Sequence, residues 1–368
     1  MASPIRHLYF HIPFCAKLCP YCCFYVETGT KNKTRQFLDA LLREVELAQK
    51  TYELQPHTIY FGGGTPSALT VDQLDYLLRG LRTRLDLSAL REWTLEANPA
   101  TAPLDKARVL RAAGITRISL GVQSWHDGLL KTLGRNHCAA QAEKSFGVLR
   151  EAGFENINID LMFGVPGQTL AQWQASLDHT IALAPRHISA YCLTYEEDTE
   201  YFRQLRLGTF VQNDDQDAAF FETTIDTLTS SGFGHYEISN YARPGFESEH
   251  NLAYWRGHDY LGFGPSAFST VGLTRWQSLP DTAEFTRRIS AGESVTHFTE
   301  HLSESTRAGE SMAFAVRMRE GVAARDLSRW PDAINEFQAL GLLTPHKDRY
   351  VLTRRGKLMA DSVAEAFV

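Results

Sequence analysis

Cys15, Cys19 and Cys22 stand in the run His11-Ile12-Pro13-Phe14-Cys15-Ala16-Lys17-Leu18-Cys19-Pro20-Tyr21-Cys22 and put three soft sulfur ligands on one short loop. Three thiolates can hold three irons of a four-iron cluster, leaving the last iron open to a small molecule. Cys23 or His11 could instead complete a zinc knuckle, but zinc sites usually draw paired ligands from a second segment, and none is evident. The spacing favours Cys22 as the third ligand. A second candidate, Gly62-Gly63-Gly64-Thr65-Pro66, directly follows a strand-like segment. Glycines there let the backbone pass close to a ligand and offer main-chain groups to its amino or carboxylate ends.

These groups need a scaffold, and composition bounds it. A chain of 368 residues with 43% apolar content has material for one large domain and one small one. With 37 Lys and Arg against 43 Asp and Glu, the net charge of -6 weighs against nucleic acid as a partner. Met1-Ala2-Ser3-Pro4-Ile5-Arg6 opens no apolar signal region, and no segment is apolar enough to span a bilayer, so a soluble, cytoplasmic protein is expected. In a reducing compartment, four cysteines between positions 15 and 23 favour a metal site over disulfides. Cys138 and Cys192 read as isolated, buried thiols.

A weak internal repeat sets the architecture. Leu110 to Leu120, Leu149 to Ile159 and Leu228 to Ile238 each carry an apolar helix position, a glycine suited to a left-handed C-cap (Gly114, Gly153, Gly232), and then an alternating strand-like stretch. Strand-like Ile5 to Ile12, His57 to Phe61, Trp93 to Ala97 and His187 to Leu193 alternate with helix-like Thr34 to Lys50 and Leu170 to Ala184. This alternation predicts a parallel sheet wrapped by helices, and a full or partial barrel in particular. The cysteine loop, the glycine run, Glu96, Gln123 and Asp160 all fall at the carboxyl ends of successive strands, where a parallel barrel gathers its functional residues at one mouth. From about residue 300, helix-like Glu304 to Arg319 and Arg325 to Leu340, strand-turn-strand Leu342 to Thr353, and a last helix from Arg355 to Phe367 predict a winged-helix-like module, read as a lid or packing domain. The expected divisions are a barrel over 1–235, an extension over 236–299 and a C-terminal domain over 300–368.

The Cys-x3-Cys-x2-Cys pattern resembles the signature of the radical S-adenosylmethionine superfamily, and the glycine run resembles its methionine-binding strip. The resemblance implies an α/β fold, a partial (β/α)6 TIM-like barrel with a small C-terminal α/β winged-helix-like domain. It also implies a 4Fe-4S cluster on Cys15, Cys19 and Cys22, with S-adenosylmethionine on the open iron, whose sulfonium is cleaved by an electron from the cluster. Within the superfamily the chain is similar to the coproporphyrinogen dehydrogenase-like branch. Tyr9, Gly63, Gly64, Thr65, Glu96, Gln123, Arg135 (in Gly134-Arg135-Asn136-His137) and Asp160 match its positions for S-adenosylmethionine. A carboxylate such as Asp160 suits ribose hydroxyls, and the forked donors of Arg135 suit a carboxylate.

Two features choose within the branch. Its decarboxylating enzymes of porphyrin biosynthesis carry a further cysteine two positions past the third ligand, where this chain has Phe24, and a long N-terminal extension that is absent here. Both departures weaken the reading as an oxygen-independent coproporphyrinogen III dehydrogenase, which shares every cofactor residue. His250-Asn251-Leu252-Ala253-Tyr254-Trp255 matches the His-Asn-x-x-Tyr-Trp motif of HemW-type proteins. That resemblance implies a haem chaperone, with His250 as haem ligand, aromatic neighbours against the macrocycle, and transfer to a haem-accepting protein. Peripheral association with a membrane acceptor, and a monomer or homodimer, belong to the same expectation. Gly262-Phe263-Gly264-Pro265-Ser266-Ala267 matches a glycine-rich loop of the family, but no helix signal follows it as a phosphate cradle requires.

Overall fold

The computed structural model describes residues 3–28, 31–99 and 101–368; Met1 and Ala2 of the opening run lie outside them. Six strands alternate with helices: β1 (Ile5–Ile12), β2 (Leu54–Gly63), β3 (Glu92–Ala97), β4 (Arg117–Gln123), β5 (Asn156–Phe163) and β6 (His187–Cys192). Neighbours pair in parallel throughout. The first connecting helix, Lys31–Ala48, shows why the elements assemble: Phe37, Leu38, Leu41, Leu42 and Val45 recur at helical spacing, and all are buried against the sheet. The glycines of the three repeats, Gly114, Gly153 and Gly232, have φ of +105°, +90° and +85°, the left-handed region that the repeat predicts after each helix.

Three shorter strands extend the sheet to nine: β7 (Gly234–Glu237), β8 (Asn240–Ala242) and β9 (Leu261–Phe263), in the order β7-β8-β6-β5-β4-β3-β2-β1-β9. The third repeat therefore departs from the other two. Its strand, β7, pairs antiparallel with β8, which pairs antiparallel with β6. The reason is chain length: Ile238 and Ser239 alone join β7 to β8, and a parallel crossover needs a dozen residues or more. At the opposite edge, β9 lies parallel to β1. Its glycines serve close packing, because a Cβ on Gly264 would lie 2.5 Å from the His11 carbonyl oxygen and one on Gly262 would lie 2.1 Å from that of Phe268. No helix starts after this loop, so it is not built as a phosphate cradle.

Beyond the sheet, helix Glu249–Trp255 precedes an antiparallel trio, β10 (Phe268–Val271), β11 (Thr274–Ser278) and β12 (Thr296–His301). The C-terminal residues build a second, smaller apolar cluster around Val316, Leu327, Ile334, Phe337 and Val363, with a three-stranded sheet of β13 (Val322–Ala323), β14 (Leu343–His346) and β15 (Arg349–Leu352). All three helices predicted for this module are shorter than read, the first running Glu304–Ala315 and not to Arg319. The segment from Arg325 becomes a turn, Ala324–Leu327, and a helix that starts at Pro331, since proline fits the first helical turn but not an interior. The last helix breaks at Met359 into Arg354–Leu358 and Ala360–Glu365. Among the described residues no helix is long and apolar enough to cross a membrane. Cys138 and Cys192 are half-buried, not buried: Cys138 occupies the N-cap of helix Ala139–Glu151, where its backbone amide donates to Gln141 Oε1.

Candidate active site at the barrel mouth

The cysteine loop is closed at its neck by backbone. Cys15 N donates to Glu27 O at 2.9 Å and Glu27 N to Pro13 O at 2.8 Å, while Phe14 packs edge-on against Phe37. Cys15, Cys19 and Cys22 are half-buried and face one cavity of about 460 Å³. Burial pushes the Cys22 thiol up to about 11 and raises that of Cys15, so these two, when bare, are protonated at neutral pH and release protons on binding metal. Cys23 is exposed, and His11 is committed: its Nε2–H donates to the Tyr25 carbonyl at 2.8 Å, which leaves Nδ1 to accept from the Tyr9 hydroxyl at 3.1 Å. Neither predicted fourth zinc ligand is placed to join the three thiols.

The glycine strip is tied to that loop. Gly64 N donates to Ile12 O and Thr65 N to Phe14 O, and Thr65 Oγ1 lies 3.4 Å from Cys15 Sγ. Gly63 has φ of +102°, and a Cβ there would fall 2.6 Å from the His11 ring; a Cβ on Gly64 would fall 2.7 Å from the Pro13 carbonyl carbon. Only glycine lets this strand end lie flat beneath the loop.

Opposite stand the carboxylates. Glu96 accepts from the Tyr60 hydroxyl at 2.7 Å. Burial pushes its carboxyl up to about 7, a shift that the Tyr60 bond opposes and the Asp160 charge adds to. Asp160 accepts from Ser119 Oγ at 3.1 Å and Asn158 Nδ2 at 2.6 Å; burial raises it too, against the pull of Arg117. Gln123 adopts φ of +69° at the end of β4 and accepts from the Tyr191 hydroxyl at 2.8 Å. Arg135 reaches the cysteines directly, with Nη1 3.6 Å from Cys19 Sγ and Nη2 donating to Gly121 O at 2.8 Å. His137 Nε2–H donates to Val122 O, so its Nδ1 must accept; the Asn98 amide therefore turns its nitrogen to His137 at 3.2 Å and its oxygen to Arg135 at 3.0 Å.

The cavity thus gathers Gly63, Gly64, Thr65, Glu96, Gln123, Arg135 and Asp160 beside the three cysteines. Tyr9 and His250 do not line it. Tyr9 stacks behind Tyr60 at 6.2 Å between ring centres. Asp160 lies within β5, three residues before its end, so it faces the barrel interior and not the rim loops. The cavity also has walls that motif reading missed: Arg117, Ser119, Tyr60, Ser189 and Tyr191. Arg117 is 1% exposed with Nε unpartnered. Arg117, Ser119, Gly121 and Gln123 recur every second residue of β4 and all border the cavity, a period-2 signal that was present in the chain.

Helix Glu249–Trp255 carries the histidine motif and is pinned by a buried carboxylate. Glu92, 4% exposed on β3, accepts from Ser248 Oγ, Glu249 N and His250 N at 3.3, 2.9 and 3.2 Å. His250 is 1% exposed, stacked on Tyr60 and crossed edge-on by Tyr254. Its Nδ1 lies 2.7 Å from Thr58 Oγ1, and its buried Nε2 has no partner. The same hydroxyl lies 2.9 Å from His7 Nδ1, and His7 Nε2 lies 3.3 Å from Nδ1 of exposed His258. Burial holds His250 to about 3 and His7 to about 4 and lowers His258, so all three imidazoles are neutral at pH 7. Outside this helix lies a second cavity of about 430 Å³; Asn240 and Asn251 border both cavities.

A parallel α/β barrel with a three-cysteine loop after its first strand and a glycine strip after its second defines the radical S-adenosylmethionine class. The family model for that superfamily matches residues 9–180. Over the whole chain, the fold matches coproporphyrinogen III oxidase HemN from Escherichia coli, a radical S-adenosylmethionine enzyme, with a TM-score of 0.84 at 24% identity, covering 100% of this chain and 90% of that one. Among relatives named haem chaperone HemW, the Bacillus subtilis protein is 33% identical over 99% of both chains. The Mycobacterium tuberculosis protein is 35% identical over 98% of this chain and 94% of its own, and the Escherichia coli protein 33% identical over 99% and 98%. The chain belongs to the HemW family.

Proposed function

We propose that this chain binds haem and passes it to acceptor proteins, and that it carries a 4Fe-4S cluster on Cys15, Cys19 and Cys22 with S-adenosylmethionine at the open iron. The observation that carries the reading is the match, along nearly the full length, to relatives that are named haem chaperones. The donor set fits the cofactors: three thiols border one cavity, a glycine strip that no other residue could replace lies beneath them, and two carboxylates and Arg135 face them. When bound, the cluster would supply single electrons to the sulfonium. The chain's own residues then divide the work. The glycine strip and Glu96 suit the amino group, Arg135 the carboxylate, and Asp160 the ribose hydroxyls, while Tyr60 holds Glu96 in place and Ser119 and Asn158 hold Asp160.

Phe24, 66% exposed, borders the cavity where the decarboxylating enzymes have their further cysteine, which supports delivery of haem over porphyrinogen oxidation. The chaperone reading places the protein in the cytoplasm, as a monomer or homodimer, with a haem acceptor that is soluble or membrane-bound. His250 is the haem ligand that the motif nominates. The test is anaerobic reconstitution followed by two assays. Haem binding seen as a Soret shift, with transfer to an apo-haemoprotein and no conversion of coproporphyrinogen III under dithionite and S-adenosylmethionine, is expected. Conversion at enzyme-like rates overturns it in favour of the dehydrogenase.

A further inference from the structure

The outer cavity is walled in part by Asn251, Tyr254 and Trp255 of the histidine motif, and the hydrogen-bonded chain behind it leads from His250 to His258, a residue outside that motif. The cavity of about 430 Å³ falls inside the roughly 300–1,000 Å³ span of small-molecule sites. Tyr254, Trp255, Tyr260 and Phe314 give it flat apolar walls, and His258 stands among them on the exposed side. The imidazole of His258 stacks on that of His7, with ring centres 5.3 Å apart and planes 27° from parallel, so its orientation is fixed on the side away from the cavity.

The chain His258–His7–Thr58–His250 constrains where a metal can bind. Thr58 has one hydroxyl proton and its oxygen sits between two imidazole nitrogens; when that proton joins the chain, one nitrogen donates to the oxygen and the other accepts from it. With three neutral imidazoles and the hydroxyl proton inside the chain, two proton arrangements make every bond, one the reverse of the other. In the first, His258 Nδ1–H donates to His7, His7 Nδ1–H to Thr58, and Thr58 to His250; His258 Nε2 then presents a bare lone pair and His250 Nε2 carries the hydrogen. In the second, the lone pair is on His250 Nε2 and the hydrogen on His258. In each of these arrangements one end presents a lone pair, and the two ends differ in access: His250 is 1% exposed, whereas His258 is open to solvent and borders the cavity.

Resting on the haem-chaperone reading, we infer that the outer cavity takes ferric haem with His258 Nε2 as the axial ligand, and that His7, Thr58 and His250 position that lone pair. The nitrogen replaces a solvent molecule on the iron, and no proton leaves the protein. A ring nitrogen that donates to a second group is the usual support of a metal-bound histidine, and His7 supplies that group. Arg275 and Arg307, also in the wall, suit the propionates, but Glu310 lies 2.6 Å from Arg275 and 3.9 Å from Arg307, with Glu300 and Asp259 close by. These carboxylates offset the positive charge. Selection therefore rests on the iron–imidazole bond, so the site distinguishes haem from metal-free porphyrin.

The experiment is a Soret and electron-spin-resonance titration of the reconstituted full chain with ferric haem and, separately, with protoporphyrin IX. Wild type is expected to bind haem at least tenfold more tightly than the metal-free ring and to show an imidazole-ligated spectrum. His258→Gly is expected to lose that spectrum and that preference, and free imidazole to restore the spectrum, a rescue that a misfolded variant or an indirect role would not give. If His258→Gly keeps the wild-type spectrum while His250→Ala loses it, the inference is overturned and the haem reading stands. If wild type binds no haem, both fall.

Discussion

Removing one thiol at a time separates ligands from bystanders. Cys15→Ser, Cys19→Ser or Cys22→Ser is expected to reduce iron and sulfide content and visible absorption after anaerobic reconstitution to a small fraction of wild type, whereas exposed Cys23→Ser keeps them. Iron and acid-labile sulfide assays read the difference. Gly63→Ala tests the strip. The new Cβ meets the His11 ring at 2.6 Å in a left-handed conformation, so a loss of roughly 1–3 kcal/mol in urea unfolding is expected, together with weaker binding of S-adenosylmethionine. At this scale the cysteines and glycines were legible, because their spacing is itself the chemistry. Arg117, Tyr60 and Tyr191 were not: within a strand they look like the outer face of a half-buried sheet. Only a barrel, which buries both faces, turns alternate polar residues into a cavity wall. The motif named His250 as a haem ligand but carried no signal of its burial: it is 1% exposed, between Tyr60 and Tyr254.

The motif helix Glu249–Trp255 is short, and an isolated helix of that length is marginal in water. Its place depends on Glu92, which satisfies three donors around its first turn. Glu92→Ala is expected to cost about 3 kcal/mol, near 1 kcal/mol per lost acceptor bond, and to loosen the wall of the outer cavity; Glu92→Gln, which keeps one acceptor oxygen, costs less. Chemical denaturation, with hydrogen exchange at residues 249–251, checks both. The strands and first helices were legible at this scale because period-2 and 3.6 patterns are local. The β7–β8 hairpin was not, since its two-residue connection was hidden behind a third copy of the helix-glycine-strand repeat. Pro331 marks the later helix start, since proline fits a first helical turn.

The C-terminal module grips the barrel through polar contacts whose strength follows pH. Lys357 Nζ donates to His235 Nδ1 at 3.1 Å, and the other ring nitrogen donates to Ile238 O at 3.0 Å, so the folded state needs a neutral imidazole. Burial, with help from Lys357, lowers His235 to about 4. Between about 6.5 and 4 the unfolded chain binds this proton and the folded one does not, so stability rises with pH in that window and is lost on acidification. The expected contribution of His235 is about 2 kcal/mol lost from pH 7 to pH 5. His235→Gln should show a shallower fall in urea midpoint over the same range. The barrel and the winged-helix-like tail were legible from element order, whereas the way they meet was not, because contacts such as that between Arg354 and Asp226, 128 residues apart, leave no local pattern.

Asn240 and Asn251 make a party wall between the cluster cavity and the outer one. Whatever occupies one chamber leans on the same two amides that bound the other, and thermodynamics then demands symmetry. The factor by which S-adenosylmethionine tightens or weakens the grip on cargo equals the factor by which cargo alters the grip on S-adenosylmethionine. Two calorimetric titrations, run in opposite order of addition, must return the same ratio, and its size measures how firmly one tenant hears the other.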